Sequence, residues 1–470
     1  MSELLTRLDN ARMTPLHRRL AWSAGLGIFL DGYDLSIIAV VQKALGQTWK
    51  LTAYELGSIA AASLAGAFFG AMLGGRIADR WGRKAIYLLD LLTFLVAAIL
   101  CSVAWDPWSL AIFRFVLGVG IGADYPLSAT YMSEFMPVKK RGAVITWAFG
   151  LWIAGAFASK FVGLALLYLP PHISWRLMFL SGAFPAAAVV WLRNSLPESP
   201  RWYLRNGQSQ KAMQVLQQVD PTITDTEASS ILARQMQTTQ TPRLHWSVLF
   251  SRRYLRVTLF CALPWFMMDL MAYPIGNYEP ALIHSLGVHS YAASVLAAMA
   301  LDLVFLLGYI PLALTVDRTG RVFPQTIGFL GNALGLGLIG FFALRHPAAA
   351  PPILVVAIGL ILFQVANSYG PGSTTYLIPA EAYPTDLRAS GHGFATAFSR
   401  IGAVMGTFLL PEVQKLVGDG WLMMMMAAIG VLGAALTAGL AVETGGKPLE
   451  DPMPIALTIK GQPNAPAPPL

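Results

Sequence analysis

The sequence predicts an all-α membrane protein of twelve transmembrane helices, arranged as two pseudo-symmetric six-helix bundles. Three observations lead there. The 470 residues are 55% hydrophobic and only 12% charged, about half the charged share of a soluble domain, so a bilayer is the expected solvent. Apolar runs recur twelve times, each close to the ~20 residues that a membrane-crossing helix needs. Two stretches also occur twice, in the same order. Gly70 to Arg83 is echoed by Gly308 to Arg321, with nine residues from glycine to aspartate (Asp79, Asp317) in each. Glu134 to Arg141 is echoed by Glu381 to Arg388, with the arginine seven residues after the glutamate in each. A duplicated unit in a membrane chain points to a site between two repeats.

The runs lie at about 20–42, 56–76, 86–104, 108–131, 143–168, 175–194, 255–284, 291–314, 324–344, 351–378, 392–415 and 420–442. Alternate loops are basic: Arg76, Arg80, Arg83 and Lys84, then Lys139 to Arg141, segment 195–254, Arg318 with Arg321, and Arg388. The intervening loops, such as Trp105 to Trp108 and Pro170 to His172, hold few cations. Cations mark the cytoplasmic side, so both termini are expected inside a plasma (cell inner) membrane. The net charge of +8 is this topology signal rather than a nucleic-acid-binding face. The expected division is an N-terminal bundle over 1–194, a cytoplasmic linker over 195–254, a C-terminal bundle over 255–445 and a tail over 446–470. The linker contains helical spacing from Lys211 to Val219, then Thr- and Gln-rich sequence; the tail is Pro- and Ala-rich and expected to be disordered. Cys101 and Cys261 sit in apolar runs and imply no disulfide framework. The first twenty residues show no signal peptide.

Charges inside the spans carry the functional expectations, because each is costly in hydrocarbon. In span four, Arg114 precedes glycines 118, 120 and 122, which allow close approach, and then Asp124, Tyr125 and Pro126. Arg114 is expected to pair with Asp90 or Asp31. In span one, Asp31 and Asp34 share a helix face at i and i+3; two close carboxylates resist joint ionisation, as a proton carrier requires. Asp124 is expected to handle protons too, and Tyr125 to donate to an anion. In span seven, Trp265, Asp269 and Tyr273 form one stripe, with Asn277 a turn beyond. Arg400 in span eleven keeps its charge and can grip two oxyanion oxygens. Lys160 and Asp302 form either a pair or water-facing groups; Gln364, Asn367 and Tyr369 are cavity candidates, and Asn332 a packing residue. No metal-ligand spacing, nucleophile elbow or nucleotide motif occurs, so no cofactor, metal or ATP drive is expected, nor an enzyme.

The run Gly75-Arg76-Ile77-Ala78-Asp79-Arg80-Trp81-Gly82-Arg83-Lys84, with its echo and the six-plus-six layout, resembles the major facilitator superfamily over essentially the whole chain. Pro197 to Arg201, Pro379 to Arg388 and Val442 to Lys447 resemble sugar-porter-type signatures, and Gly122 to Ser128 resembles the phosphate:proton symporter branch. The resemblance implies spans one, four, seven and ten around a central cavity, and alternating access. It also implies Trp265, Asp269 and Tyr273 as substrate-site residues. Asp79, Arg80, Gly82 and Arg83, with Asp317, Arg318, Gly320 and Arg321, are then an inter-helix charge latch that holds an outward-open state. Glu134 with Arg141, Glu198 with Arg201, and Glu381 with Arg388 are expected as further gate pairs. Two positions depart from the symporter branch: Arg400 stands where a lysine is usual, and Trp152 where a glutamine is usual. The resulting expectation is a monomeric proton-coupled symporter of a small anion, inorganic phosphate first. An organic or aromatic carboxylate is the alternative, favoured by Trp152 and Arg400. A sugar porter and a non-transporting sensor are minor alternatives.

Overall fold

The computed structural model describes residues 3–224, 226–227, 230, 245–285, 290–346 and 351–447. Among the described residues the chain is helical, with no strand. A short helix, Glu3–Asn10, precedes span one, Pro15–Trp49. Spans two to five are Ala53–Trp81, Arg83–Ser102, Pro107–Phe135 and Arg141–Leu166. Span six is Pro171–Ser181 continued by Ala183–Asn194. Spans seven to nine are Leu255–Ser285, Tyr291–Thr319 and Val322–Arg345. Span ten is Ile353–Tyr369 continued by Pro371–Ala382. The stretch Arg388–Leu440 holds spans eleven and twelve, which meet at Gly418, where φ 78° and ψ 167° are not helical.

Among the described residues eleven helices are long and apolar enough to cross a membrane. The 388–417 helix is the twelfth, less apolar because His392, Thr396, Ser399 and Arg400 are buried along it. Spans run past the apolar limits read from sequence, as span one shows with 35 residues, since helical hydrogen bonding does not stop where the hydrocarbon does.

Local chemistry sets the turns. Gly82 at φ 106° and Gly320 at φ 80° reverse the chain between spans two and three and between eight and nine, in a region that disfavours side chains. Span four opens on Asp106, whose carboxylate accepts from Ser109 N at 2.6 Å. Gly118 and Gly122 let spans two and four touch: a Cβ there would lie 2.0 Å from Ser63 O and 2.1 Å from Ala67 O. Across the halves, span two packs on span eleven and span five on span eight. In the linker, Ser209–Val219 buries Met213, Leu216 and Val219 against Leu8 of the first helix. The Thr- and Gln-rich part of the linker and the Pro- and Ala-rich tail lie outside the described residues.

Candidate functional site

A cavity of about 130 Å³ lies between the halves. Tyr125, Phe149 and Trp152 wall it from one half, and Trp265, Asp269, Tyr273, Asn277, Gln364 and Arg400 from the other. Arg400, 1% exposed, donates from Nη1 to Asp269 Oδ2 at 2.9 Å and to the Tyr273 hydroxyl. Its guanidinium lies 4.6 Å from the Tyr125 ring centre and 5.0 Å from that of Tyr273. Its Nε and Nη2, and Trp152 Nε1, have no hydrogen-bond partner among the described residues. These are buried donors that an anion entering the cavity would satisfy. Asn277 instead donates to Thr407 at 3.2 Å. Asn332 donates to Asn367 at 3.3 Å, so it holds a cavity residue in place. Tyr369 is not part of the lining.

Tyr376, which the sequence reading missed, closes the cavity toward the basic pole. Its ring stacks on Phe149 at 4.8 Å and meets Tyr125 edge-on at 5.8 Å and Trp265 at 6.4 Å. His392 supports it from below, 3.0 Å from the Tyr376 carbonyl. The remaining lining includes the apolar Leu35, Met268, Phe305 and Phe363 and the charged Lys160, Glu279 and Asp302.

The proton candidates Asp31, Asp34 and Asp124 do not line this cavity. Asp124 pairs with Arg193 of span six at 2.7 Å, and Asp90 lies 3.5 Å from the same nitrogen. Arg193 also lies over the Tyr87 ring at 3.5 Å. Asp31, 2% exposed, is buried in the field of this cluster. Asp34 faces Arg114 instead, at 3.8 Å. Arg114 therefore pairs with neither Asp90 nor Asp31; it also holds Ile59 O and Ser63. Although Asp31 and Asp34 are one turn apart, the roughly 60° between i and i+3 positions directs them to different neighbours.

At the basic pole Asp79 pairs with Arg83 at 3.1 Å and Asp317 with Arg321 at 2.9 Å, whereas the three expected glutamate–arginine pairs are replaced by others. Glu134 accepts from Arg83 at 2.9 Å and from Arg388 of the opposite half at 3.2 Å, rather than from Arg141. Glu381 takes Arg321 through two bonds of 2.9 Å, not Arg388. Arg141 and Arg201 both reach Asp9, at 2.9 and 2.6 Å. Glu198 accepts from the backbone of Arg83 and Lys84, at 3.1 and 3.0 Å, capping span three; burial pushes its carboxyl above the usual range. Glu443 caps span nine in the same way through Arg321 N at 2.9 Å. The chain turns between Glu134 and Arg141 and between Glu381 and Arg388, so these sequence neighbours end on different helices. Asp79 accepts from Ser390 N at 2.8 Å and Asp317 from Ala143 N at 2.9 Å. Each aspartate thus caps the first turn of a helix in the other half. Burial, the largest single influence, works to lower the basicity of Arg321, but Glu381 and Asp317 together outweigh it and raise it. Arg80 and Arg318 are exposed and lie outside this network.

Glu279, Tyr376, Asp9 and Arg193 are the principal residues that sequence reasoning missed. Glu279 lies in span seven and carried the same signal as Asp269, a carboxylate in an apolar run. Asp9 carried no signal.

Comparison with known proteins places this arrangement. Residues 20–454 match the family described as "Sugar (and other) transporter", and the chain belongs to that family, as a multi-span membrane transporter with the fold of the major facilitator superfamily. Among its relatives is the niacin transporter NiaP of Acinetobacter baylyi, 30% identical over 95% of this chain and 99% of the relative. An Arabidopsis thaliana protein described as probable inorganic phosphate transporter 1-9 is 32% identical, over 95% of each chain. The fold is that of the proton:xylose symporter XylE from E. coli, solved bound to 6-bromo-6-deoxy-D-glucose. It superposes with a TM-score of 0.82 at 22% identity, over 93% of this chain and 98% of that one.

Proposed function

We propose that this transporter is a proton-coupled symporter of a small organic anion, a carboxylate with an apolar or aromatic body, working by alternating access. It acts as a monomer in a plasma (cell inner) membrane, with both termini and segment 195–254 cytoplasmic. The observation that carries the reading is Arg400: a buried guanidinium with two unspent nitrogens, in a cavity walled by aromatic and apolar side chains. The carboxylate takes Nε and Nη2 of Arg400 as a fork, and Trp152 Nε1 and Tyr125 offer further donors. The substrate body packs on Phe149, Trp152 and Tyr376. Trp265 and Tyr273 frame Asp269, and Gln364 and Asn277 edge the site.

Proton coupling follows from charge balance. Arg400 and Asp269 cancel in the empty site. An entering monoanion leaves one net negative charge, which at the membrane centre costs roughly 3 to over 10 kcal/mol. A proton on Asp269 removes that charge, so the loaded carrier can close and rock. Asp31, Asp34 and Asp124 are further proton candidates outside the cavity lining: Asp31 and Asp124 beside Arg193, and Asp34 beside Arg114. The basic-pole contacts of Asp79, Asp317, Glu134 and Arg388 hold the cytoplasmic side shut until the halves rock.

Inorganic phosphate is the second reading, supported by the convergence of Trp265, Asp269 and Tyr273 on Arg400 and by the Arabidopsis relative. It ranks below the carboxylate because four phosphate oxygens require more donors than the cavity leaves unspent. Uptake by the purified protein in lipid vesicles under an imposed pH gradient separates the two. Labelled benzoate and nicotinate are expected to accumulate and compete with each other, with phosphate near background. Strong phosphate flux without carboxylate flux reverses the ranking, and flux independent of the pH gradient removes proton coupling.

A further inference from the structure

A second ionic cluster opens on the cavity, toward the pole opposite the basic loops. Lys160 Nζ lies 2.9 Å from Glu279 Oε2 and 2.8 Å from Asp302 Oδ1. The three residues are 3%, 5% and 7% exposed, and all line the cavity. Sequence alone left Lys160 and Asp302 as either a pair or water-facing groups; the structure makes them a triad with a third member. Two carboxylates face one ammonium, so the fully ionised cluster carries one uncompensated negative charge. The second oxygen of Asp302, Oδ2, is buried and has no hydrogen-bond partner among the described residues.

Among the described residues no other cation supplies the missing charge. Span eleven contributes Arg400, already engaged by Asp269 and Tyr273. Span ten offers the neutral Gln364 and Asn367. From span one, Lys43 is exposed and rests over the Tyr291 ring at 4.6 Å, and Asp34 faces Arg114. On span eight Tyr309 is uncharged and Tyr291 donates to Ala39 O at 2.8 Å. Lys160 already occupies the position a metal cation would take between the carboxylates. The remaining charge is therefore one that a proton cancels without displacing the lysine: two carboxylates crowded in low dielectric do not both stay ionised against one cation.

The geometry points to the Lys160–Glu279–Asp302 triad as a proton-carrying latch between the two halves. Lys160 stands on span five in the N-terminal half; Glu279 and Asp302 stand on spans seven and eight in the other. Rocking the halves apart separates the ammonium from both acids. With the halves apposed, one proton shared by the carboxylates makes the cluster neutral. When the halves part, the acids lose their cation and the site changes its hold on that proton, which passes to or from water. Its place in a transport cycle rests on the carrier reading above; proton binding itself rests on the triad alone.

The test uses purified full-length protein in lipid. Infrared difference spectra between acid and alkaline buffer are expected to contain the C=O stretch of a buried carboxylic acid. One component should vanish in Asp302→Asn and equally in Glu279→Gln, since either substitution leaves one carboxylate for one ammonium. Both variants are checked for a monodisperse folded peak. A band undiminished in both variants overturns the proposal. With labelled benzoate and inorganic phosphate as probes, Asp302→Asn is expected to lower gradient-driven accumulation to unity, even where exchange is slowed. Accumulation retained at the wild-type ratio overturns the latch's role. If the wild type moves neither probe while the infrared component disappears as expected, the anion-carrier reading fails and the triad's proton stands.

Discussion

The two halves of the molecule descend from one repeat, yet their cavity walls differ in charge. The spacing that carries Asp79 onto Asp317 also carries Asp31 onto Asp269, and the spacing from Arg141 to Arg388 carries Ile153 onto Arg400. The C-terminal half therefore has an aspartate with an arginine opposite it in the cavity. The N-terminal half has the aspartate but an isoleucine where the arginine would be. Asp31 is left beside a cluster in which Arg193 is held by Asp124 and Asp90. Its half contributes mainly aromatic surface to the cavity, through Tyr125, Phe149 and Trp152. Repetition makes the scaffold; divergence at a few positions leaves the Arg400–Asp269 pair on one wall and Tyr125, Phe149 and Trp152 opposite it, with Lys160 further along that second wall. A site built this way fits a ligand with a charged end and an apolar body.

The largest expected effect is at Arg400. Arg400→Gln leaves Asp269 as an unpaired buried charge, at a cost of about 3–5 kcal/mol, so saturable uptake should vanish and affinity fall on the order of 10²–10³-fold. Binding measured by tryptophan fluorescence beside vesicle flux checks this; near-normal affinity would dissolve the contrast between the walls. Next, Asp269→Asn should reduce pH-driven accumulation to unity, whereas Asp31→Asn should only lower its rate. Equal losses in the two variants would mean that the halves share the proton task evenly.

The poles sharpen the same comparison. Glu134 receives an arginine from each half, while Glu381 receives Arg321 from its own. Glu134→Gln should raise labelling of a single cysteine placed below Tyr376 several-fold, by loosening the closed pole. Glu381→Gln should lower the unfolding midpoint with much less change in labelling, and a matching rise would show that the glutamates are equivalent. The smallest effects belong to the symmetric caps: Asp79→Asn and Asp317→Asn should each weaken closure by about 1 kcal/mol, the scale of one helix cap, and by similar amounts in a labelling titration.

Much of the fold was legible in the chain because oil and water sort residues by run length. The twelve crossings, the duplicated motifs and the tight turns at Gly82 and Gly320 all follow from local composition and spacing. The site was half legible. Trp265, Asp269, Tyr273 and Arg400 were visible as costly or aligned residues, and the structure brings them together. Pairings were not: Arg114 takes Asp34, Arg141 takes Asp9, and Glu134 bridges to Arg388. Asp9 showed nothing in sequence, since an aspartate in a polar N-terminal segment is unremarkable until a fold sets it beside two arginines.

Read alone, the chain settles how many apolar runs can cross a bilayer, which side chains are too expensive to sit there by accident, and that its plan is used twice. Which charge answers which was decided by packing. A transfer cost belongs to one residue and can be read one residue at a time. An ion pair is a distance between two helices, and that distance exists only after the helices have found their neighbours.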